Sequence, residues 1–333
     1  MDLATWIDSL PKSELHVHLE GSIPLWALFE ILTRHGGDPE VPDLQALERR
    51  FAYRDFPHFL AMWTWKHGFL RDAEDFAFLA EAAAREWLAQ NITYVEAHYS
   101  PTDASQTGLS VGELTRAVRR GLDRVVGVEV RLICDVVRDS PIPRALRTAE
   151  EAAELQDLGV VGIGLGGPEH SHPPEPFAPV FARARALGLH TTAHAGEAAG
   201  PESVRGAVEV LQAGRIGHAT RAIEDPGLVE LLAREQTPLE LCPISNLRTG
   251  AVPSLESHPV RTYFERGLKV TLNTDDPPMF NTTLTGEFVA LHEVHGFTRE
   301  DLLTLLHNAL DASWMRDSDK TRRHLELDQA ARA

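Results

Sequence analysis

Two cysteines in 333 residues, Cys134 and Cys242, leave no disulfide framework to build on. Both lie in apolar, strand-like runs and read as buried free thiols. Long hydrophobic runs are missing as well, so no segment reaches the length of a membrane span. The N-terminal stretch Met1-Asp-Leu-Ala-Thr-Trp-Ile-Asp8 has neither a basic region nor an apolar core of the kind that directs secretion. The expectation is a cytoplasmic protein. Positive charge is scarce: 32 Lys and Arg stand against 49 Asp and Glu, for a net charge of −17. That balance argues against nucleic acid or an anionic membrane as a main partner. No Gly-x-Gly-x-x-Gly opens a helix after the first strand-like run, which weakens a dinucleotide-binding reading. Gly162-x-Gly164-x-Gly166-Gly167 is only superficially similar, because Pro168 and His-Pro repeats follow where a helix should start.

What the chain does have is a beat. Short β-branched or apolar runs at 14–20, 92–99, 128–137, 160–165, 190–195, 215–219, 239–243 and 269–275 alternate with helical patterns, among them 73–90, 111–125, 143–157, 202–213 and 226–235. About eight repeats of strand and helix predict a closed (β/α)8 TIM barrel, an α/β fold, as a single domain over 1–333. Gly159 and Gly214 fall just past helix ends, where a left-handed cap is expected. Ser22 reads as the N-cap of a helix with Pro24 in its first turn, running to Gly36-Gly37. Residues 38–72 interrupt the beat as a helical insertion after the first strand. Their aromatic residues (Phe51, Tyr53, Phe56, Phe59, Trp63, Trp65 and Phe69) either pack helices together or wall a pocket beneath a lid. A final helix at 298–314 is followed by a mixed-charge tail at 315–333, which reads as a solvated helix or a frayed end.

One stretch organises the chemistry. In Glu14-Leu-His-Val-His-Leu-Glu-Gly21, His16 and His18 point to the same side of a strand, with Leu15, Val17 and Leu19 on the other, and Gly21 ends the strand. A TIM barrel places its active site at the C-terminal ends of its strands, and metal-capable residues gather there. The run at 190–195 leads to His194-Ala-Gly-Glu197, the run at 215–219 to Gly217-His218, and the run at 269–275 to Asp275-Asp276-Pro277. Singly, each has a plain structural explanation: a hydrogen-bonded histidine, a turn, a helix cap. Together at one barrel mouth they read as a metal centre. His16, His18, His194 and Asp275 supply three imidazoles and a carboxylate, a set suited to a catalytic Zn²⁺ with one place left for water. Glu197, His218 and Asp276 are then free for proton transfer and substrate contact.

These fragments, with Gly164-Leu-Gly-Gly-Pro-Glu169, Arg215-Ile-Gly-His218, Leu241-Cys-Pro-Ile-Ser-Asn246 with Thr249, and Leu272-Asn-Thr-Asp-Asp-Pro277, occur in one order from about 10 to 310. In that order the chain resembles the adenosine deaminase family of the metal-dependent amidohydrolases. The resemblance implies one Zn²⁺ on His16, His18, His194 and Asp275, Glu197 as proton shuttle to purine N1, and His218 orienting the attacking hydroxide. It also implies Asp276 at N7, the Gly167 amide at N3, and substrate contacts from His18 and Glu20. The His-x-Glu and Pro-Cys-x-x-Cys signature of the cytidine-type deaminases is absent.

Glu20 stands where many family members carry Asp against the ribose, and Asp275-Asp-Pro-Pro-Met-Phe280 with Thr282-Thr-Leu284 resembles bacterial nucleoside-type members. The implied reaction is deamination of a purine nucleoside, adenosine first. The alternative is 6-amino-6-deoxyfutalosine, of menaquinone biosynthesis, and a further alternative is adenine or the substrate of another mononuclear amidohydrolase. The end of the run at 160–165 offers no lysine for a bridged two-metal centre.

Overall fold

Each apolar run becomes a strand covered on both faces, as parallel sheets require. The computed structural model describes residues 1–53 and 56–332. Its strands are β1 (Lys12–His18), β2 (Ile92–Tyr99), β3 (Glu129–Val137), β4 (Val160–Gly166), β5 (His190–Ala195), β6 (Arg215–His218), β7 (Leu239–Leu241) and β8 (Val270–Leu272). They pair in chain order, every neighbour parallel. Helices fill the connections, and the fold is the expected (β/α)8 barrel. Between β1 and β2 come the helices Leu25–Arg34, Leu44–Arg50, Phe56–His67 and Ala73–Ala89. No helix among the described residues is long and apolar enough to cross a membrane.

The ring is closed differently at its last seam. Between β8 and β1 the backbone makes one isolated bridge, Val17 with Asp275, through His18 N–H to Asp275 O (2.8 Å) and Asp275 N–H to His16 O (3.1 Å). Side chains complete the join. Asn273 Oδ1 accepts from the Leu15 and His16 amides at 2.9 and 3.1 Å. Glu14 Oε1 accepts from the Thr274 amide at 2.8 Å and from its hydroxyl.

Beneath the mouth lies a buried charge relay. The Arg215 guanidinium pairs with Glu96 Oε2 and with Glu240 Oε1, both at 2.5 Å, and none of the three side chains reaches solvent. Glu96 also accepts from the Trp314 amide and the Tyr94 hydroxyl. The Trp314 ring covers the guanidinium at 3.6 Å and stacks on His190. The segment after the Arg299–Ala312 helix therefore plugs the closed end of the barrel.

Several local expectations change. The first strand stops at His18 rather than 20, and Glu20–Ser22 form a 3₁₀ turn. Gly21 is needed for space and not for a turn: a Cβ there would lie 1.6 Å from Asp276 Oδ1. Ser22 caps no helix. Its hydroxyl donates to His18 O at 2.8 Å, and the helix begins at Leu25 behind Pro24. Gly159 has the left-handed conformation (φ +87°), but at the next expected cap Gln212 (φ +53°) takes that role in place of Gly214. Of the two readings of the tail the structure has the helix, Asp317–Arg332, with Leu327 buried.

Arg215→Met removes the cation that both buried carboxylates share. Urea unfolding should show a loss of about 3–5 kcal/mol, the usual consequence of breaking a buried pair from one side. A loss below about 1 kcal/mol would show that the relay does not support the barrel.

Candidate active site

The C-terminal mouth of the barrel brings together His16 and His18 from β1, His194 from β5, His218 from β6, and Asp275 and Asp276 after β8. One donor atom each from His16, His194, His218 and Asp275 lies within 4.8 Å of all the others. His18 joins them, its Nε2 at 3.1 Å from His194 Nε2 and 3.3 Å from Asp275 Oδ1.

The outer atoms of these side chains are occupied, which fixes what the inner atoms offer. His16 Nδ1 donates to Glu240 Oε2 at 2.9 Å, which leaves the buried Nε2 facing the cluster, 3.6 Å from Asp275 Oδ1, where it offers a lone pair once its proton is displaced. His194 Nδ1 donates to Leu165 O at 3.1 Å. His18 Nδ1 faces Asp135 Oδ2 at 3.6 Å. Asp275 Oδ2 accepts from the Ser245 hydroxyl at 2.6 Å, which leaves Oδ1 for the cluster. Imidazole lone pairs and a carboxylate oxygen aimed at one buried point fit a cation.

The titration of the cluster agrees. Burial opposes charge on His16 and His18, but hydrogen bonds to Asp275, with further carboxylates nearby, lift them to about 10 and about 9. Burial likewise opposes ionisation of Asp275, and its bonds with His16 and His18 overcome that and hold it well below the usual range. A cation entering here displaces protons.

Two of these residues sit in backbone conformations that disfavour side chains: His218 at φ +62° and Asp275 at φ +66°. Such strain persists where surrounding contacts over-determine it, and it concentrates at functional sites.

Above the cluster opens a cavity of about 280 Å³, walled by His18, Asp135, Gly167, Glu197, His218 and Asp276 on the barrel side. Phe59, Leu60, Trp63 and Thr64 of the Phe56–His67 helix line the other side. Two of the inserted aromatics, Phe59 and Trp63, thus face the cavity. Trp65 and Phe69 instead pack against each other, Trp65 also meeting Phe51; the Phe56 side chain lies outside the described residues. Glu20, expected at the sugar end, is set back behind the wall, where Oε1 accepts from the Ser100 amide at 3.0 Å. Gly167 turns at φ +94°, where an added Cβ would meet Val137 at 2.7 Å.

A model of the family described as adenosine deaminase matches residues 11–330. The chain belongs to the adenosine deaminase family. Members are hydrolases of C–N bonds, and this protein is a deaminase of the amidohydrolase superfamily. It is 37% identical to an aminodeoxyfutalosine deaminase of Streptomyces coelicolor over 98% of this chain and 86% of that one. The adenine deaminase structure from Arthrobacter aurescens superposes with a TM-score of 0.92 at 29% identity, over 97% of this chain and 100% of that one. An amidohydrolase from Burkholderia ambifaria with bound Zn gives 0.88 at 25% identity, over 99% and 93%. In this deaminase the convergent lone pairs are a site for a divalent metal ion.

Residues that sequence reasoning left without roles support the site. Glu169 closes its carboxylate over four amides: Gly196 at 2.6 Å, Glu197 at 3.1 Å, Ala198 at 2.7 Å and Ala199 at 3.0 Å. That clamp places the Glu197 carboxyl at the cavity wall, 3.6 Å from His218 Nε2. Burial, then the charges of Asp275 and Glu169, push the Glu197 carboxyl well above its usual range. Burial and Asp275 raise Asp276 to about 7. Asp135 hydrogen-bonds His98 at 2.7 Å behind His18. For Glu240 a signal was present: it is a lone charge between two leucines in a short strand, and Asp135 follows the apolar run Leu132-Ile-Cys134; a charge so placed requires a buried partner.

The helix Pro243–Arg248 carries Ser245 and Asn246 into this support, and Glu287 holds its N-terminal end. Glu287 Oε2 accepts from the Ile244 amide at 3.2 Å and Oε1 from Thr282 at 3.1 Å. Burial raises this carboxyl to about 8. The folded state therefore binds the proton more tightly than the unfolded chain. Its contribution is fully present below about pH 4.5 and is lost as pH rises towards 8, at up to about 1.4 kcal/mol per unit. Glu287→Gln should remove one proton's worth of slope from the stability–pH curve across that window; an unchanged slope would show that Glu287 ionises freely.

Proposed function

We propose that this deaminase removes the 6-amino group of a purine nucleoside by hydrolysis, with Zn²⁺ as cofactor and 6-amino-6-deoxyfutalosine, ahead of adenosine, as substrate. The observation that carries the reading is Glu197: a carboxyl held by the Glu169 clamp at the cavity wall, 3.6 Å from His218 Nε2, beside the metal-capable cluster. Loss of an amino group from an aromatic ring requires an acid at the ring nitrogen and an oxygen nucleophile on the same side.

His16, His18, His194 and Asp275 hold the metal in this reading. When bound, the metal lowers the pKa of a water to about 7 and so supplies hydroxide at neutral pH. Glu197 gives its proton to N1, which makes C6 electrophilic. His218 orients the oxygen that adds to C6. Asp276, in the space that Gly21 leaves open, faces N7, and the Gly167 amide faces N3. Collapse of the tetrahedral carbon expels ammonia, and the proton taken from water returns through Glu197 to the leaving nitrogen. His18 also lines the substrate side, while Glu20 acts on the sugar end through Ser100.

Two features favour the larger nucleoside, and a third disfavours a nucleotide. Two relatives named aminodeoxyfutalosine deaminase, 37% and 36% identical, each cover 98% of this chain, against 92% for an adenine deaminase at 37%. The cavity adjoins, past Leu60 and Glu197, a second hollow of about 640 Å³ that gives room for a substituent bulkier than a ribose hydroxyl. Finally, Asp103, Asp135, Asp139 and Glu169 line the first cavity and no Lys or Arg is among its described lining residues. A nucleotide phosphate would meet repulsion in that first cavity, and Arg221, which lines the second hollow, is paired with Glu224 at 2.7 Å.

Glu197→Gln should lower ammonia release about 10²–10⁴-fold with metal content unchanged; full activity would remove Glu197 from the proton path. Measured as kcat/KM, aminodeoxyfutalosine should exceed both adenosine and adenine by about tenfold or more. A preference for adenine would overturn the nucleoside reading.

A further inference from the structure

Behind His218 runs a line of buried hydrogen bonds whose directions can be read from one end to the other. It begins at a donor that cannot rotate: the Val260 amide donates to His258 Nδ1 at 3.2 Å. His258 is buried and neutral, so its proton is on Nε2. That Nε2–H points at the side-chain amide of Asn246, 3.2 Å away. Only the oxygen can receive it, and the Thr220 hydroxyl donates to the same oxygen at 3.0 Å. The orientation of the Asn246 amide is thereby fixed, with its NH₂ on the opposite side. The NH₂ lies 3.0 Å from His218 Nδ1. A ring nitrogen facing an N–H donor must be an acceptor; a doubly protonated His218 would set two donors against each other. The proton of His218 is therefore on Nε2, the atom that faces Glu197 and the metal-capable cluster.

We propose that Asn246 and His258 are positioning residues that hold His218 as its Nε2–H tautomer, so that His218 acts at the reacting centre only as a hydrogen-bond donor. An imidazole with hydrogen on its inner nitrogen cannot take a proton from water there; it can hold an oxygen lone pair. The proton of the water then goes to a carboxylate and not to His218, and Glu197, at 3.6 Å from His218 Nε2, is the one placed to serve both transfers. The same contact stabilises His218 in its left-handed backbone conformation, since Asn246 and the ring fix each other. This assignment rests on the proposed reaction only for its catalytic consequence; the tautomer itself is independent of the substrate.

The test uses the metal-loaded protein labelled with ¹⁵N in histidine. Two-bond ¹⁵N–¹H correlations at neutral pH should give His218 and His258 the pattern of a neutral ring protonated on Nε2. A proton on His218 Nδ1, or a doubly protonated ring, overturns the proposal whether or not any purine is deaminated. Conversely, an Nε2–H pattern with no turnover of aminodeoxyfutalosine, adenosine or adenine upholds the tautomer and counts against the reaction. Asn246→Leu should lower kcat about 10²-fold or more, with KM changed by less than about threefold and with a His218 Nδ1–H population appearing in the spectrum. Wild-type kcat and a wild-type spectrum in that variant overturn the positioning role. Should Asn246→Leu not fold, His258 decides. His258→Gln can accept from Val260 and donate to Asn246 and should retain kcat, whereas His258→Leu should lose it; equal activities of the two would also overturn the role.

Discussion

A buried arginine sets the terms for the whole barrel. Arg215 sits where no water reaches, between Glu96 and Glu240, under the Trp314 ring. A guanidinium in such a place is costly unless it is fully paired, and the pairing it demands reaches upward. Glu240, drawn to Arg215 by one oxygen, presents the other to His16 and to Thr192. The carboxylate stays ionised, held down to about 2 against its burial by Arg215 and His16. The closed end of the barrel thus decides which nitrogen of His16 is free at the open end.

The same arrangement recurs around the mouth. Each cluster side chain has an outer partner that uses up one atom and aims the other: Glu240 behind His16, the Leu165 carbonyl behind His194, Ser245 behind Asp275, Asn246 behind His218. Glu169 does for a loop what those partners do for side chains, gathering four amides so that Glu197 has one position. Preorganisation of this kind places catalytic groups before substrate arrives and spares the reaction the cost of ordering them.

Much of this was legible in the sequence. Strands at 92–99 and 190–195 match the observed boundaries because β-branched apolar runs between helices leave little choice. His16 and His18 were legible because alternation puts them on one face. The ends of elements were harder. Ser22 looked like a cap, yet the backbone turned one step earlier and used its hydroxyl on His18 O. Gly214 looked like a cap, yet Gln212 tolerates the left-handed region there. The supporting residues were least legible. Asn246 and His258 are twelve positions apart and line up behind His218 only in three dimensions, Asn246 touching it and His258 touching Asn246, while Glu169 reaches its amides from the turn after β4. Sequence periodicity reports which way a side chain points from its own element; it carries no information on what waits opposite.

The seam between β8 and β1 has a consequence of its own. Seven neighbouring pairs are zipped by backbone ladders, and the eighth is clasped by one bridge and two side chains. The cluster straddles that seam, with His16 and His18 on one lip and Asp275 on the other. Under the proposed ligand set, a divalent ion shared between them would act as a buckle on the hoop. Whatever binds the closed hoop and not the open one stabilises it by mass action, so such an ion would tie the integrity of the barrel to the occupancy of its mouth.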